Sequence, residues 1–279
     1  MGFNITTDYT TEEYKPKVDT VDNNFWLTLR DEAQVMAEKE PLLATYVNEC
    51  ILKQGDFAGA LSFILSNKLS DKVMSAEALR TMLDQAYCDQ PLLVEATVFD
   101  IHAAFERDPA VKSYLTVLLY FKGFHAIQVH RFAHMLWLMG RHELALFVQS
   151  RSSEVLSVDI HPAAYIGQGV MFDHATGIVV GETAVIEDNV SIMQSVTLGG
   201  TGNESGDRHP KVRHGVMIGA GAKILGNIEI GPGAKVGAGS VVLSDVPAHV
   251  TVAGVPAKIV GKPSCQNPCQ TMRQNVLED

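Results

Sequence analysis

Apolar residues recur at helical spacing through the first half of the chain, as in Leu42, Leu43, Tyr46, Val47 and Ile51 and again in Phe57, Ala60, Leu61, Ile64 and Leu65. This rhythm predicts about seven or eight helices before residue 157. Their ends carry the expected punctuation: Pro41 suits a first helical position, Gly55 and Gly140 suit helix ends, and Asp108-Pro109 breaks the chain between two apolar segments. Past Ile160 the rhythm becomes sixfold, and two registers compete. Ile160, Ile166, Phe172, Ile178, Ala184, Val190 and Val196 are six apart, and so are Val180, Ile186, Ile192 and Leu198. A hexapeptide repeat of a parallel β-helix needs an aliphatic corner residue and a small or β-branched residue four further on, because both side chains point into a narrow prism. That requirement selects corners at 160, 166 and 172, an eight-residue step to 180, then 186, 192 and 198. After a polar run from Gly199 to Lys211 the register resumes at Val212, Ile218, Ile224, Ile230, Val236 and Val242.

The expected architecture is therefore α+β: an all-helical N-terminal domain followed by a left-handed parallel β-helix of hexapeptide repeats. Glycine usage marks the same boundary, since 18 of the 23 glycines lie between Ile160 and Gly261. The chain divides into a loose arm over 1–22, a helical domain over 23–157, the β-helix over 158–261 and a tail over 262–279.

Composition narrows the function. The 22 Lys and Arg against 32 Asp and Glu leave a net charge of -10, the wrong sign for holding a phosphate backbone, so nucleic-acid binding is disfavoured. Four scattered cysteines, Cys50, Cys88, Cys265 and Cys269, show no zinc-finger spacing, which points to a reduced, metal-free intracellular protein. The first 22 residues lack the basic and apolar blocks of a signal peptide, and stretches such as Tyr114 to Phe121 fall short of the roughly 20 residues that span a bilayer. A cytoplasmic location with no membrane association is expected.

In a repeat scaffold the regular positions hold the fold, and departures from the repeat carry the chemistry. The eight-residue step contains Asp173 and His174, and the polar loop contains Asp207, Arg208, His209 and Pro210. One coil is about three hexads, so His174 stands near one coil above Asp159 and His161, within reach of a carboxylate that would hold its ring. His161, outward-facing beside Pro162, reads as structural. The histidines of the helical half, His102, His125, His130, His134 and His142, sit on mixed apolar faces and read as packed or solvated side chains.

Several runs together resemble the serine O-acetyltransferase family of cysteine biosynthesis. They are Asp159-Ile160-His161-Pro162-Ala163-Ala164, the stretch from Asp173-His174-Ala175 through Gly181-Glu182-Thr183-Ala184, Ser195-Val196-Thr197-Leu198-Gly199-Gly200, and Gly206-Asp207-Arg208-His209-Pro210-Lys211. Ala253-Gly254-Val255-Pro256-Ala257 and, in the helical half, Asn67-Lys68-Leu69, Arg107-Asp108-Pro109-Ala110 and Lys122-Gly123-Phe124-His125 extend the likeness to all but the arm and the tail.

The resemblance implies acetyl transfer from acetyl-CoA to the hydroxyl of L-serine, with no tightly bound cofactor and no metal. His174 matches the family's catalytic base and Asp159 the carboxylate that orients it; a weak serine hydroxyl needs such a base, and no protein nucleophile is required. Asp108 and Asp173 correspond to acceptors for the substrate ammonium, and Arg208 and His209 to the carboxylate-binding pair, for which an arginine fork is suited. By analogy the CoA site draws on Gly219, Ala220, Ala222, Lys223, Gly237, Ala238, Ser240 and Lys258; small residues admit the pantetheine arm and lysines meet its phosphates, although the glycines also serve to turn the coil. The resemblance further implies a homotrimer or a dimer of trimers with sites at subunit interfaces, and inhibition by L-cysteine, with the tail closing near Met272. Members that dock into O-acetylserine sulfhydrylase present a terminal isoleucine, whereas this sequence ends Asn275-Val276-Leu277-Glu278-Asp279, which disfavours that partner. Asn203 and Tyr165 are smaller departures.

Three other readings share the prism, one of them a non-catalytic scaffold, against which the intact Asp159/His174 pair and Asp207-Arg208-His209 loop argue. An acyltransferase for a sugar or another hydroxyl would lack the helical half that carries Asp108. A metal-dependent hydratase would need His161, His174 and His209 to converge on one ion.

Overall fold

The computed structural model describes residues 23–202 and 205–276. The expected arm 1–22, Asn203 and the last three residues of the tail lie outside them. Among the described residues the N-terminal half forms eight α-helices, α1 (Asn23–Lys39), α2 (Ala44–Val47), α3 (Phe57–Leu69), α4 (Ala76–Asp89), α5 (Leu92–Arg107), α6 (Tyr114–Tyr120), α7 (Lys122–Leu138) and α8 (His142–Leu156). Polar caps start three of them: Asp56, Ser75 and Ser113 accept from the amides of Gly59, Ala78 and Thr116. Pro41 opens a short 3₁₀ turn and Gly140, at φ +75°, closes α7 in the left-handed conformation; Gly55 does not adopt it. No described helix is long and apolar enough to cross a membrane.

From Val158 onward the chain winds into a left-handed parallel β-helix. Face one carries β1 (Val158–Ile160), β4 (Ile178–Val180), β7 (Thr197–Gly199), β10 (Lys223–Leu225) and β13 (Val241–Val242). Face two carries β2 (Tyr165–Ile166), β5 (Val185–Ile186), β8 (Lys211–Val212) and β11 (Glu229–Ile230). Face three carries β3 (Met171–Asp173), β6 (Ser191–Met193), β9 (Met217–Ile218), β12 (Lys235–Val236) and β14 (Thr251–Gly254), and ends with β15 (Ala257–Gly261) antiparallel to β14. The ladder selects the corner register expected from the small residues. Ile160, Val180, Leu198, Ile224 and Val242 stack in line, as do Ile166, Ile186, Val212 and Ile230, and Phe172, Ile192, Ile218 and Val236. All are buried, and so are Ala164, Val170, Ala184, Val190, Val196, Val216, Ala222 and Ala234 four residues after their corners. From Ile178 to Val196 the competing sixfold series supplies the other buried positions of the same prism.

The first coil has no coil before it, so some of its backbone groups need partners from elsewhere. Helices α5 and α7 supply them. Asp100 Oδ1 accepts from the Val170 amide at 2.9 Å, and Oδ2 accepts from Gln128 at 2.8 Å and from Arg131 Nη2 at 2.7 Å. Arg131 also donates to the carbonyls of Ile166 and Gly167, and His134 Nδ1 bonds the Pro162 carbonyl. Asp100 and Arg131 are almost wholly buried, so each charge depends on the other. Farther along, Arg107 reaches Ser191 and Asn189, and Ser191 Oγ donates to the carbonyl of Cys269 in α9 (Pro268–Thr271), which lays the tail across face three. The helical-half histidines pack as expected: His125 and His130 are buried, and burial holds the His125 ring down to about 3 and His130 well below its ordinary range. Replacing Asp100 with Asn strands the Arg131 guanidinium, and denaturant titration is expected to show a loss of about 3–5 kcal/mol of unfolding free energy. A change below 1 kcal/mol, the size of an exposed ion pair, would mean that the clasp does not carry the junction.

Candidate active site

The three corners of the prism sort the candidate residues. His174 lies in the eight-residue step between β3 and β4, at the edge where face three turns into face one. It holds a left-handed backbone, φ 54°, and so does Ala175 at 62°, a strained pair for non-glycine residues. The step is supported from below by α7. Lys122 Nζ bonds Thr176 Oγ1, and at Gly123 a Cβ would stand 2.0 Å from the Phe172 carbonyl oxygen, so only a bare backbone lets the helix start there. The His174 side chain is 73% exposed, with Nε2 3.8 Å from Asp173 Oδ1. Burial pushes the Asp173 carboxyl above its ordinary range, His174 opposes that shift, and the charge of Asp108 adds to it. Asp108, at the C-terminus of α5, is near enough for its charge to be felt at Asp173, while its Oδ1 accepts from the Ala110 amide in a local turn.

Asp159 sits on face one in β1, in register with Val179. It makes no ion pair with His174 among the described residues; its Oδ1 accepts from Gln149 Nε2 at 2.7 Å, on the rim of a cavity of about 510 Å³ lined by α8.

The CoA candidates continue up the edge that carries His174. The turns 194–196, 219–222 and 237–240 stack above the step, joined by Ser195 N to Thr176 O, Gly221 N to Gln194 O and Gly239 N to Ala220 O at 2.8–2.9 Å. Ser195, Gly221 and Gly239 are all left-handed. Gly219 has a steric reason, since a Cβ would meet the Ala238 amide at 2.7 Å. Ala222 and Ser240 are interior positions with no exposed surface, and Ser240 Oγ donates to the Gly237 carbonyl, so within one chain these two shape the turns rather than present a surface to a ligand. Lys223 lies on face one with its amine on the Ser195 carbonyl, and Lys258 is exposed on β15.

Arg208 and His209 lie at a different edge, where face one turns into face two. Arg208 Nη2 bonds Glu182 Oε2 at 2.7 Å, which holds the Glu182 carboxyl below its usual range. His209 packs on Gly181 and Thr183, and burial with the neighbouring Arg208 charge keeps its ring below the ordinary histidine range. A single chain therefore does not bring His174 and Asp173 together with Arg208 and His209; face one lies between them. His161 shares the second edge, with its Nδ1 accepting from Ala163 and its ring 5.1 Å from Trp137, so it is packed as expected of a structural residue. No trio of metal-binding side chains forms among the described residues. Sequence reasoning assigned no role to Gly123, Gln149, Glu182 or Thr183, three of which fall inside the runs that carry the resemblance.

A helical half set on a six-residue β-solenoid, with its irregularities gathered at two edges, is the build of the hexapeptide acyltransferases. Residues 209–244 match the model of bacterial transferase hexapeptide repeats, and 25–129 match the serine acetyltransferase N-terminal model. A serine acetyltransferase of Salmonella typhimurium is 58% identical over 250 residues, 90% of this chain and 92% of its own. Among solved structures, a serine acetyltransferase in complex with cysteine covers 90% of this chain and 98% of its own at 56% identity and TM-score 0.88. The Brucella abortus enzyme in complex with coenzyme A covers 88% and 98% at 50% identity and 0.86, and the soybean enzyme complexed with serine covers 87% and 100% at 53% and 0.85. The chain belongs to the serine acetyltransferase family and is an acyltransferase.

Gly123→Ala forces the His174 step off its seat. CoA thiol release is expected to fall about 100-fold, as a displacement of order an ångström can cause, while the chain still unfolds cooperatively. An unchanged rate would show that the step does not depend on this contact.

Proposed function

We propose that the protein transfers the acetyl group of acetyl-CoA to the hydroxyl of L-serine, giving O-acetyl-L-serine and CoA, the step that commits serine to cysteine synthesis. The observation that carries this reading is the exposed His174 on its strained step, beside Asp173 and Asp108 and at the foot of the column of small-residue turns. Acetyl-CoA lies along that column with its thioester at His174. The serine ammonium rests between Asp108 and Asp173, whose mutual repulsion a cation relieves. His174 takes the hydroxyl proton as the serine oxygen attacks the thioester carbonyl, and the same proton leaves with the CoA sulfur when the tetrahedral intermediate collapses. The exposed imidazole turns towards Asp159, whose carboxylate stabilises the imidazolium.

The serine carboxylate is met by Arg208 and His209 of a neighbouring subunit, because these residues stand at the other edge of face one. A closed ring of three prisms sets one edge of each against the next edge of its neighbour and completes three sites. The helical halves then join two such rings. L-cysteine, with the same ammonium and carboxylate as serine, occupies the same site and inhibits. The soybean complex with serine and the complexes with cysteine and CoA support this assignment.

The test is CoA thiol release from acetyl-CoA with L-serine, L-homoserine, galactose or no acceptor, in the parent and in His174→Ala. Serine-dependent release that falls by about 10²–10⁴ in the variant is expected for loss of a general base. Release that depends on another hydroxyl and not on serine would leave the fold and overturn the function.

A further inference from the structure

The connection between β7 and β8 is long and its described residues form no helix or strand, yet it ends on two side chains that must meet a substrate at fixed geometry. We propose that Thr183 is the positioning residue of this arm: it pins the Arg208-His209 main chain to the prism and fixes the His209 ring with its proton on Nε2. The inference rests on the reading of Arg208 and His209 as the carboxylate-binding pair and adds what holds them.

Thr183 Oγ1 lies 3.0 Å from the Arg208 amide nitrogen, 3.1 Å from the His209 amide nitrogen and 2.9 Å from His209 Nδ1. A hydroxyl has two acceptor sites and one proton. The two amides fill the acceptor sites, and the proton is left for Nδ1 or for the Asp207 carboxylate, which the same hydroxyl helps to hold below its usual range. The Thr183 amide donates to the same Nδ1 at 3.1 Å. A backbone amide can only donate, so Nδ1 accepts, and a neutral imidazole then carries its hydrogen on Nε2, the donor a carboxylate needs.

Two neighbours complete the seat. At Gly181 a Cβ would stand 2.0 Å from His209 Cδ2 and 2.1 Å from Nε2, so the ring lies against bare backbone. The Thr183 carbonyl accepts from Lys211 Nζ at 2.9 Å, and the same amine bonds Asp207 Oδ1 and the His209 carbonyl. Gly181, Glu182 and Thr183, three consecutive residues of one coil, thus hold the ring, the guanidinium and the main chain of the arm. Valine has the shape of threonine but offers the two amides nothing.

The test compares full-length Thr183→Val and Thr183→Ser. In Thr183→Val, hydrogen–deuterium exchange of the peptide containing Arg208 and His209 is expected to accelerate, and the KM for serine to rise about tenfold, the scale of one lost hydrogen bond. The KM for acetyl-CoA should stay within about twofold, and Thr183→Ser should restore both readouts. Unchanged exchange in Thr183→Val, an equal rise in both KM values, or a serine variant as impaired as the valine one overturns the proposal. Exchange is read without substrate, so it stands apart from the carboxylate assignment. His209→Asn tests that assignment separately, and an unchanged serine KM there would remove it.

Discussion

A coil of a β-helix satisfies its backbone through the coils above and below it, and the first coil has nothing below. Everything else in this molecule depends on how that open end is closed. Asp100 offers an acceptor to the Val170 amide, and Arg131 offers donors to the carbonyls of Ile166 and Gly167; neither residue is tolerable in the interior without the other. The helical half is thus bonded to the prism rather than merely attached to it. That fixed junction lets α7 begin against the step that carries His174, and brings the charge of Asp108 at the end of α5 within reach of Asp173.

Once the end is closed, the ladder imposes columns. Each turn stacks on its counterpart one coil earlier, so a chemical feature placed at one corner is extended along one edge. The strained His174 step and the turns at 219–222 and 237–240 share an edge for this reason, which suits a long ligand that must bring its thioester to a base. The same rule separates Arg208 and His209 from His174, because they lie after strands of face one and His174 lies before one. A substrate as small as serine cannot bridge the two edges of one prism. Under the proposed function assembly becomes part of the chemistry, with neighbouring chains supplying opposite halves of the amino-acid site.

Much of this was legible in the sequence. The corner register followed from volume, since only small or β-branched residues fit four positions after an aliphatic corner, and the buried columns from Ile160 to Val242 obey it. His174 and the loop ending at His209 stood out because they interrupt that register. The Asp100–Arg131 clasp did not stand out. A charged residue in a helical window reads as solvent-facing, and its partners lie 31 and 70 residues away. Gly123 and Thr183 were hidden for a related reason: each is ordinary in its own element, and its importance comes from a segment that folds back upon it. Asp159 is a milder case, for its partner among the described side chains is Gln149 on the preceding helix.

In the proposed assembly one working site takes His174 from one chain and Arg208 with His209 from the next. The direct measurement is complementation: chains carrying His174→Ala and chains carrying Arg208→Ala are unfolded together, reassembled in equal amounts and assayed for serine-dependent CoA release. Each variant alone is nearly inactive. Random mixed trimers are expected to recover about a quarter of the parent activity, because some interfaces pair an intact His174 with an intact Arg208. No recovery in verified mixed trimers would place both halves of the site in a single chain and contradict the account.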